Sequence, residues 1–505
     1  MLKQNMSFSP FLGDYKALSV GLNPLGIRTA SEQLFTNLLP GLNVVTLRIR
    51  YYSFYCWLMR CFYANRREAA RLDFQRHIRM SELLMALIHA QSSNSGGVPG
   101  ITRANEIIWK GDAIIDFNED AMPGGKPSGG YWKGSYGAFG TYYVASLEEM
   151  GIIAPLVDNP SLYNVTPESQ NFIGGEVLAS AFSESIGIEM EKLFQDCARY
   201  GIVSMQQLEA MEPYFQSHNL PNNRERALLL QMLLQADRPS SLEDRHFRKD
   251  TLRLLLSYLL EEQPTFTELD FARYVYEKYS NQEDQSMAAA GWYAYYLNDS
   301  RQFEALNIFD VVLKKLQHSK KPGQWENIDD FTSQLASEIC DELGADGLTM
   351  KQMMDNWDSI NNPQEQMAHA FYVIIDDYRR NPNYQECKAL IKTYFRNVSN
   401  DALDAFGNME QALDDSVHLF IKRYLTENII YNHYSESMRK YSQNGIPTQK
   451  LTIENGYVRG LTRYGASHSS PRIGTLKNYA TDLGLIENDR VTSMGVELLK
   501  RLQND

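Results

Sequence analysis

Two aspartates, a glutamate and a lysine in the C-terminal half have the residue types of a metal-dependent nuclease. Asp376 and Asp377 precede Glu386, and one residue separates Glu386 from Lys388. In such sites carboxylates hold Mg²⁺ and the lysine stabilises the attacking water. That geometry requires β-strands, whereas the apolar residues on both sides of this motif recur at helical spacing. The mismatch argues against a nuclease site at these positions.

A second combination with catalytic potential is Arg71 and His77. Their spacing is similar to that of the arginine–histidine pair in helical ribonucleases of the HEPN type, but one such spacing in an arginine-rich helix is expected by chance. The nine histidines include no HExxH pattern and the five cysteines no CxxC pair, so the sequence indicates no zinc site. We predict no catalytic residue, metal site or cofactor, and an effector nuclease with an unrecognised site stays an alternative.

Basic residues supply the first candidate binding site. Residues 40–80 contain eight arginines, no lysine and only two acids. Because guanidinium groups make bidentate hydrogen bonds with phosphate, we predict nucleic-acid contacts in this stretch. The alternative, which is equally open, is that these arginines are solvated or paired with acids. The aromatic residues just before them occupy nearly every face of a helix and are predicted to be core. The predicted contacts are Arg66, Arg67, Arg71 and Arg76.

A second basic stretch, residues 439–480, holds seven basic residues and one acid. Pro471 predicts the start of a helix here, since proline is favoured at the first helical position. Such a helix could lie in a nucleic-acid groove, and the alternative is a module that binds only protein. The predicted contacts are Arg459, Arg463, His468, Arg472 and Lys477.

The net charge of −13 is distributed unevenly along the chain. Residues 186–435 contain 39 acidic and 24 basic residues, a local net charge of −15, whereas the rest of the chain has a net charge of +2. We therefore expect the two ends to attract anions and the middle to repel nucleic acid.

The elements that would position the basic residues include an internal repeat. Two distant segments each end a helix at a glycine, Gly151 and Gly484, and continue as a short apolar strand. After a turn, a second strand leads to Thr166 or Thr492, which are predicted to start another helix. The order helix, glycine, strand, wing, strand, helix resembles winged helix-turn-helix domains, which bind either nucleic acid or protein.

We predict a mainly α, multidomain helical protein, because helical spacing recurs along most of the 505 residues and this length exceeds one hydrophobic core. No apolar run approaches the roughly 18 residues of a membrane span, and the cysteines fit reduced thiols. We expect a cytoplasmic protein without a membrane partner. The predicted domains are an arginine-rich helical domain (1–95), a glycine-rich linker with a winged-helix-like module (96–185), an acidic helical scaffold (186–435) and a basic winged-helix-like module (436–505).

The N-terminal region, over residues 25–57, resembles an uncharacterised bacterial family. The residues that carry the resemblance are Pro40, Gly41, Thr46, Arg48, Arg50, Tyr51 and Tyr52. Members of that family tend to be encoded beside ATPases and nucleases in antiviral-defence or restriction-like gene sets. The resemblance implies a defence or DNA-transaction context and supplies no catalytic residues.

These observations lead to one expectation with two alternatives. We expect a nucleic-acid-binding recognition or scaffold subunit of a bacterial multi-component antiviral defence complex. Its partners would be DNA or RNA and a protein such as an ATPase or nuclease subunit. The alternatives are an effector nuclease subunit and a scaffold that binds only protein.

Overall fold

The computed structural model describes residues 23–64, 70–91, 96–122, 134–169, 172–218, 220–237, 245–262, 265–318, 324–398, 402–445 and 447–504. The predicted mainly α fold is confirmed, because helices account for most of these residues and each sheet has only two or three short strands. None of the helices in these ranges combines the length and the apolar character that a membrane crossing requires.

The secondary-structure elements are numbered in chain order. The α-helices are α1 (Arg28–Leu38), α2 (Arg50–Ala64), α3 (Arg71–His89), α4 (Ile101–Ile108), α5 (Val144–Glu149), α6 (Gly175–Ile186), α7 (Ile188–Tyr200), α8 (Met205–Phe215), α9 (Arg224–Leu234), α10 (Phe247–Glu261), α11 (Glu268–Ser280), α12 (Met287–His318), α13 (Ile328–Leu343), α14 (Met350–Asp355), α15 (Gln366–Arg380), α16 (Tyr384–Tyr394), α17 (Ala402–Gln411), α18 (Val417–Arg423), α19 (Asn432–Asn444), α20 (Ile473–Asp482) and α21 (Ser493–Asn504). The strands are β1 (Ile114–Asp116), β2 (Ile153–Pro155), β3 (Tyr163–Val165), β4 (Ile202–Ser204), β5 (Glu326–Asn327), β6 (Leu451–Glu454), β7 (Tyr457–Gly460), β8 (Ile486–Glu487) and β9 (Arg490–Val491). Within the described ranges there are also two π-helices, Phe139–Tyr143 and Tyr424–Tyr431, and a 3-10 helix, Trp357–Ser359.

The chain forms two compact units, each built from two separate parts of the sequence. Unit 1 comprises the described residues of Met1–Leu34 and Ala290–Ser469, and unit 2 comprises those of Phe35–Ala289 and Ser470–Asp505. These units are therefore discontinuous in sequence, whereas the four predicted domains are contiguous segments.

The core of unit 2 is organised around α2. Its aromatic residues are buried on every face, as predicted: Tyr51, Phe54 and Trp57 each expose at most 1% of their surface. Helix α6 packs along α2, and the Phe182 ring lies 5.1 Å from the Trp57 ring. A helix that is apolar all round must be enclosed by its neighbours, and α2 is enclosed by α3, α6, α9 and β3.

Arg50, the first residue of α2, is a buried cation within this core. Its guanidinium makes two hydrogen bonds of 3.1 Å to the Glu225 carboxylate on α9. A further nitrogen donates to the carbonyl oxygens of Tyr214, at 2.8 Å, and Gln216, at 2.6 Å. One side chain thus links α2, α9 and the end of α8, and its charge is matched by one carboxylate.

The first predicted repeat segment has an antiparallel pair of strands between two helices of unit 2. Gly151 follows α5 with a φ of +71°, and Ile153 on β2 pairs with Val165 on β3. The Thr166 hydroxyl donates to the Gly151 carbonyl at 2.7 Å and accepts from the Gly175 N–H at 3.3 Å. Helix α6 begins at Gly175, with Gly174 as its N-cap residue, rather than directly after Thr166.

The second repeat segment, also in unit 2, makes the equivalent contacts. Gly484 follows α20 with a φ of +73°, and Ile486 on β8 pairs with Val491 on β9. The Thr492 hydroxyl donates to the Gly484 carbonyl at 2.7 Å and accepts from the Gly495 N–H at 3.2 Å. The two segments therefore share one hydrogen-bond arrangement, and their assignment as winged-helix modules stays a prediction.

The described residues of unit 1 form helices and one small sheet. Strands β5, β7 and β6 are antiparallel neighbours in that order, and Val458 on β7 pairs with both Glu326 and Ile453. Helices α13, α15 and α18 pack together, and the π-helix at Tyr424–Tyr431 continues α18 directly into α19. This continuous α18–π–α19 segment borders the cavities of unit 1 described below.

Candidate nucleic-acid interface

The predicted contacts of the first basic stretch lie at the start of α3 and just before it. Arg66 and Arg67 lie outside the described residues. Arg71 and Arg76 are both exposed. The Arg71 guanidinium lies over the Tyr136 ring, 5.6 Å from its centroid, and Arg76 donates to the Asn118 side-chain oxygen at 2.9 Å.

Arg76 stands beside a cleft formed by α2, α3 and α7 of unit 2, with a volume of about 480 Å³. We call it the α3 cleft. Arg199 on α7 lines the same cleft, and both arginines are exposed. Asp73 and Asp196 line it too. The cleft is therefore not uniformly positive, and contacts with an anion would depend on where the two guanidinium groups lie.

One rim of the α3 cleft carries a connected row of polar and aromatic groups. Asn118 accepts a hydrogen bond from Arg76 and donates one to the Tyr200 carbonyl at 2.9 Å. Tyr200 is 63% exposed, and the Arg199 guanidinium lies over its ring, 5.8 Å from the centroid. Exposed guanidinium groups can contact phosphates, and an exposed aromatic ring can stack on a base.

The remaining reactive groups of the cleft are held in structural contacts. His77 places Nε2 3.0 Å from the Leu58 carbonyl oxygen, so this nitrogen donates to the backbone. Burial raises the pKa of the Cys61 thiol to about 12, and the nearby Glu191 carboxylate contributes to this rise. Arg71 is not part of the cleft lining, although His77 is. Arg71 and His77, the ribonuclease-type pair, therefore do not both line this cleft.

Three predicted contacts of the second basic stretch belong to unit 1. Arg459 on β7 is half-buried, and Arg463 is exposed, 3.9 Å from the Asp310 carboxylate. His468 places Nδ1 2.7 Å from Asp299, and its ring stacks on the Phe303 ring at 3.9 Å.

The other two, Arg472 and Lys477, belong to unit 2. Arg472 has a φ of +63°, donates to the Leu42 carbonyl at 2.8 Å and lies over the Phe35 ring. Lys477 forms an ion pair with Asp489. Helix α20 begins at Ile473, two residues after the predicted start, and every residue in it is buried or half-buried. Nucleic-acid contact through Arg472 and Lys477 would require both to leave these contacts.

The residues with nuclease character lie on α15 and α16 of unit 1, which are helical as expected from their spacing. Asp376 pairs with Arg379 and Arg380, and Lys388 lies 2.6 Å from Asp404. In the part of the chain that the structure describes, no group of three or more His, Cys, Asp and Glu side chains could hold a metal ion.

Sequence reasoning missed Asn118, Arg199 and Tyr200, which complete the rim of the α3 cleft. They lie 42 or more residues from Arg76 along the chain. Arg199 also falls in the stretch with an excess of acids, so no local charge pattern identified it. Comparisons with protein-family models, with curated proteins and with solved structures found no match to this chain.

Proposed function

We propose that the chain is a nucleic-acid-binding recognition and scaffold subunit of a cytoplasmic, multi-component antiviral defence complex. Its contact surface would be the rim of the α3 cleft, where Arg76, Asn118, Tyr200 and Arg199 form a connected row. This row is the observation that supports the proposal, because it combines exposed cations with an exposed aromatic ring. An ATPase or nuclease subunit would be the protein partner.

The rim suits backbone contact and stacking better than the reading of base edges. Each guanidinium can neutralise one phosphate, and the Tyr200 ring can stack on an unpaired base without sequence preference. Arg71, which is exposed at the start of α3, extends the basic surface in the same unit. Each phosphate contact makes the affinity fall with salt, and a few contacts supply little affinity, so we expect measurable binding only at low ionic strength.

The test is the binding of fluorescently labelled duplex DNA, single-stranded DNA and RNA across a salt series. The Arg76→Ala/Arg199→Ala double variant should bind more weakly. The slope of log affinity against log salt should fall by about two, one for each lost phosphate contact. The matched control is Arg224→Ala/Arg273→Ala, which removes two arginines of unit 2 whose side chains are each 54% exposed. Equal binding by the two double variants would exclude the rim as the contact surface.

The scaffold that binds only protein is favoured by a separate observation. Arg472 and Lys477 are engaged within unit 2, and α20 presents no exposed side chain that could enter a groove. If the wild-type chain binds none of the three nucleic acids at about 50 mM salt, the scaffold function replaces the proposal. Degradation of a nucleic acid in the presence of Mg²⁺, and its loss on mutation of this chain, would support the effector nuclease instead.

A further inference from the structure

Unit 1 contains a cleft of about 420 Å³ that the proposed nucleic-acid interface does not use. Its walls come from α12, α15, α17, α18 and the π-helix at Tyr424–Tyr431. We call it the Arg301 cleft, after the cation that lines it. Its volume lies within the range of roughly 300–1,000 Å³ that is typical of small-molecule sites.

The lining of the Arg301 cleft joins apolar and amide surfaces. The apolar side includes Leu297, Ile374 and the rings of Phe406 and Phe420. Convergent amide side chains come from Asn408, Gln411 and Asn428. Apolar walls with a few placed polar groups are typical of ligand pockets. Rings favour a flat apolar group, and amides can both donate to and accept from its polar edge.

Arg301 differs from the other arginine of this lining in its partners. Arg423 lies 3.0 Å from the Asp415 carboxylate. Arg301 is half-buried and interacts with the Tyr424 hydroxyl, and within the described ranges no ion pair joins it to a carboxylate. A half-buried guanidinium without a matching carboxylate can take an anionic group of a ligand in a bidentate contact.

A second cavity of about 480 Å³ continues from the first within unit 1. Arg301, Asn408, Glu427 and Asn428 line both cavities, so Arg301 stands where they meet. The π-helix supplies groups to each cavity. π-helical turns are rare and are frequent at functional sites, since they displace the following residues from the regular helical pattern.

Two carboxyl groups also line the Arg301 cleft and restrict its ligand. Burial raises the pKa of Asp377 to about 6, and the Ser300 hydroxyl donates to it at 2.7 Å. Glu427 lies on the exposed side of the π-helix. These acids disfavour the binding of an isolated inorganic anion, because their repulsion would offset part of its attraction to Arg301. An anion must therefore be attached to a group that gains from the apolar and amide walls.

We propose that the Arg301 cleft binds a ligand of the nucleoside monophosphate class, in which a flat heteroaromatic ring is joined to a phosphate. The ring occupies the apolar side, its polar edge contacts the amides of α17 and the π-helix, and the phosphate contacts Arg301. The site is independent of the α3 cleft, because all of its residues belong to unit 1.

The test is calorimetric titration of the full chain with AMP, GMP, CMP and UMP, with the four nucleosides and with inorganic phosphate. At least one monophosphate should bind, and its nucleoside and inorganic phosphate should each bind at least about tenfold more weakly. Arg301→Ala should weaken that monophosphate by about ten- to hundredfold. Asn408→Trp, at an exposed lining position, should fill the cleft and abolish binding.

The control is Arg463→Ala, which removes an exposed arginine of unit 1 that lines neither cavity. It should leave the affinity unchanged. The proposal is overturned if none of the four monophosphates binds at about 1 mM, or if binding persists in both Arg301→Ala and Asn408→Trp. Thermal unfolding of each variant identifies a folding defect, and Asn408→Trp decides the question if Arg301→Ala does not fold. Nucleic-acid binding, compared between the wild type and the Arg76→Ala/Arg199→Ala variant, tests the proposed function separately from the Arg301 cleft.

Discussion

Replacement of Arg50 by methionine tests whether a buried ion pair holds the helices of unit 2 together. The guanidinium and the Glu225 carboxylate expose 2% and 1% of their side chains, and they meet through two hydrogen bonds of 3.1 Å. Arg50→Met leaves the Glu225 carboxylate buried without its cation, while the Ser53 hydroxyl still donates to it at 2.7 Å. It also removes the donor for the carbonyl oxygens of Tyr214 and Gln216.

The expected loss follows from these contacts. Breaking a buried pair by removing one partner costs about 3–5 kcal/mol, and each part-buried carbonyl bond adds about 0.5–1.5 kcal/mol. We expect Arg50→Met to destabilise unit 2 by about 4–8 kcal/mol. Arg50→Met/Glu225→Met should be less damaging than the single Arg50→Met change, because no charge remains buried. A double-mutant cycle should therefore give a coupling of about 3 kcal/mol or more.

Hydrogen exchange read by mass spectrometry locates the effect. Peptides from α2 and α9 should exchange about a thousandfold faster in Arg50→Met, since about 4 kcal/mol corresponds to three powers of ten. The control is the exposed pair Arg224–Glu184, with side chains 54% and 56% exposed. Arg224→Met should cost less than about 1 kcal/mol. The reasoning is refuted if Arg50→Met costs no more than Arg224→Met, or if the double variant is as unstable as Arg50→Met.

Three further predictions concern other sites. Gly175→Ala and Gly495→Ala should each destabilise unit 2 strongly, because the added Cβ atom would lie 2.1 Å and 2.3 Å, respectively, from a backbone carbonyl oxygen. Gly465→Ala should be neutral, because its Cβ atom would have no neighbour within 4 Å. Urea unfolding monitored by circular dichroism measures the stability of all three variants. Asp377 has a folded pKa of about 6 against an ordinary 3.8, so its protonated form contributes stability that is fully present below about pH 3.8 and lost as the pH rises through about 6. The free energy of unfolding of Asp377→Asn, relative to that of the wild type, should therefore rise by at most about 3 kcal/mol between pH 4 and 7. A difference that stays constant across this range in urea titrations would contradict the prediction. Cys61, whose pKa is raised to about 12, should resist iodoacetamide at pH 8 in the native chain and react after unfolding, which peptide mass spectrometry detects.

The helices and the repeat were predictable because their signals are local. The apolar surface of α2 and the Gly151–Thr166 and Gly484–Thr492 pairs are read from short stretches of sequence. Two helices begin later than predicted: α6 begins at Gly175 rather than directly after Thr166, and α20 begins at Ile473 rather than at Pro471.

The partners of the charged residues were not predictable, because they are distant in sequence. Arg48 pairs at 2.8 Å with Asp482, which is 434 residues away. From the sequence, a basic residue with no acidic residue nearby is predicted to be free to bind a ligand. Arg472 contradicts this expectation, because it donates to the Leu42 carbonyl, 430 residues away. Local charge therefore identifies a cation without showing whether the fold already uses it. The rim of the α3 cleft depends on the same kind of distant pairing, between Arg76 and Asn118.

The two repeat segments also meet at one residue of α2, which explains why the C-terminal segment belongs to unit 2. Ser146 and Tyr479 each stand five residues before the glycine of their segment. Both interact with the Tyr52 hydroxyl, and the hydroxyl oxygens of Tyr479 and Tyr52 lie 3.1 Å apart. Equivalent positions of the two copies thus enclose the same buried side chain. Because α20 completes this core, its residues are buried or half-buried, and both Arg472, just before it, and Lys477, within it, contact unit 2 itself. The exposed Arg76 of α3 and Arg199 of α7 lie outside the repeat.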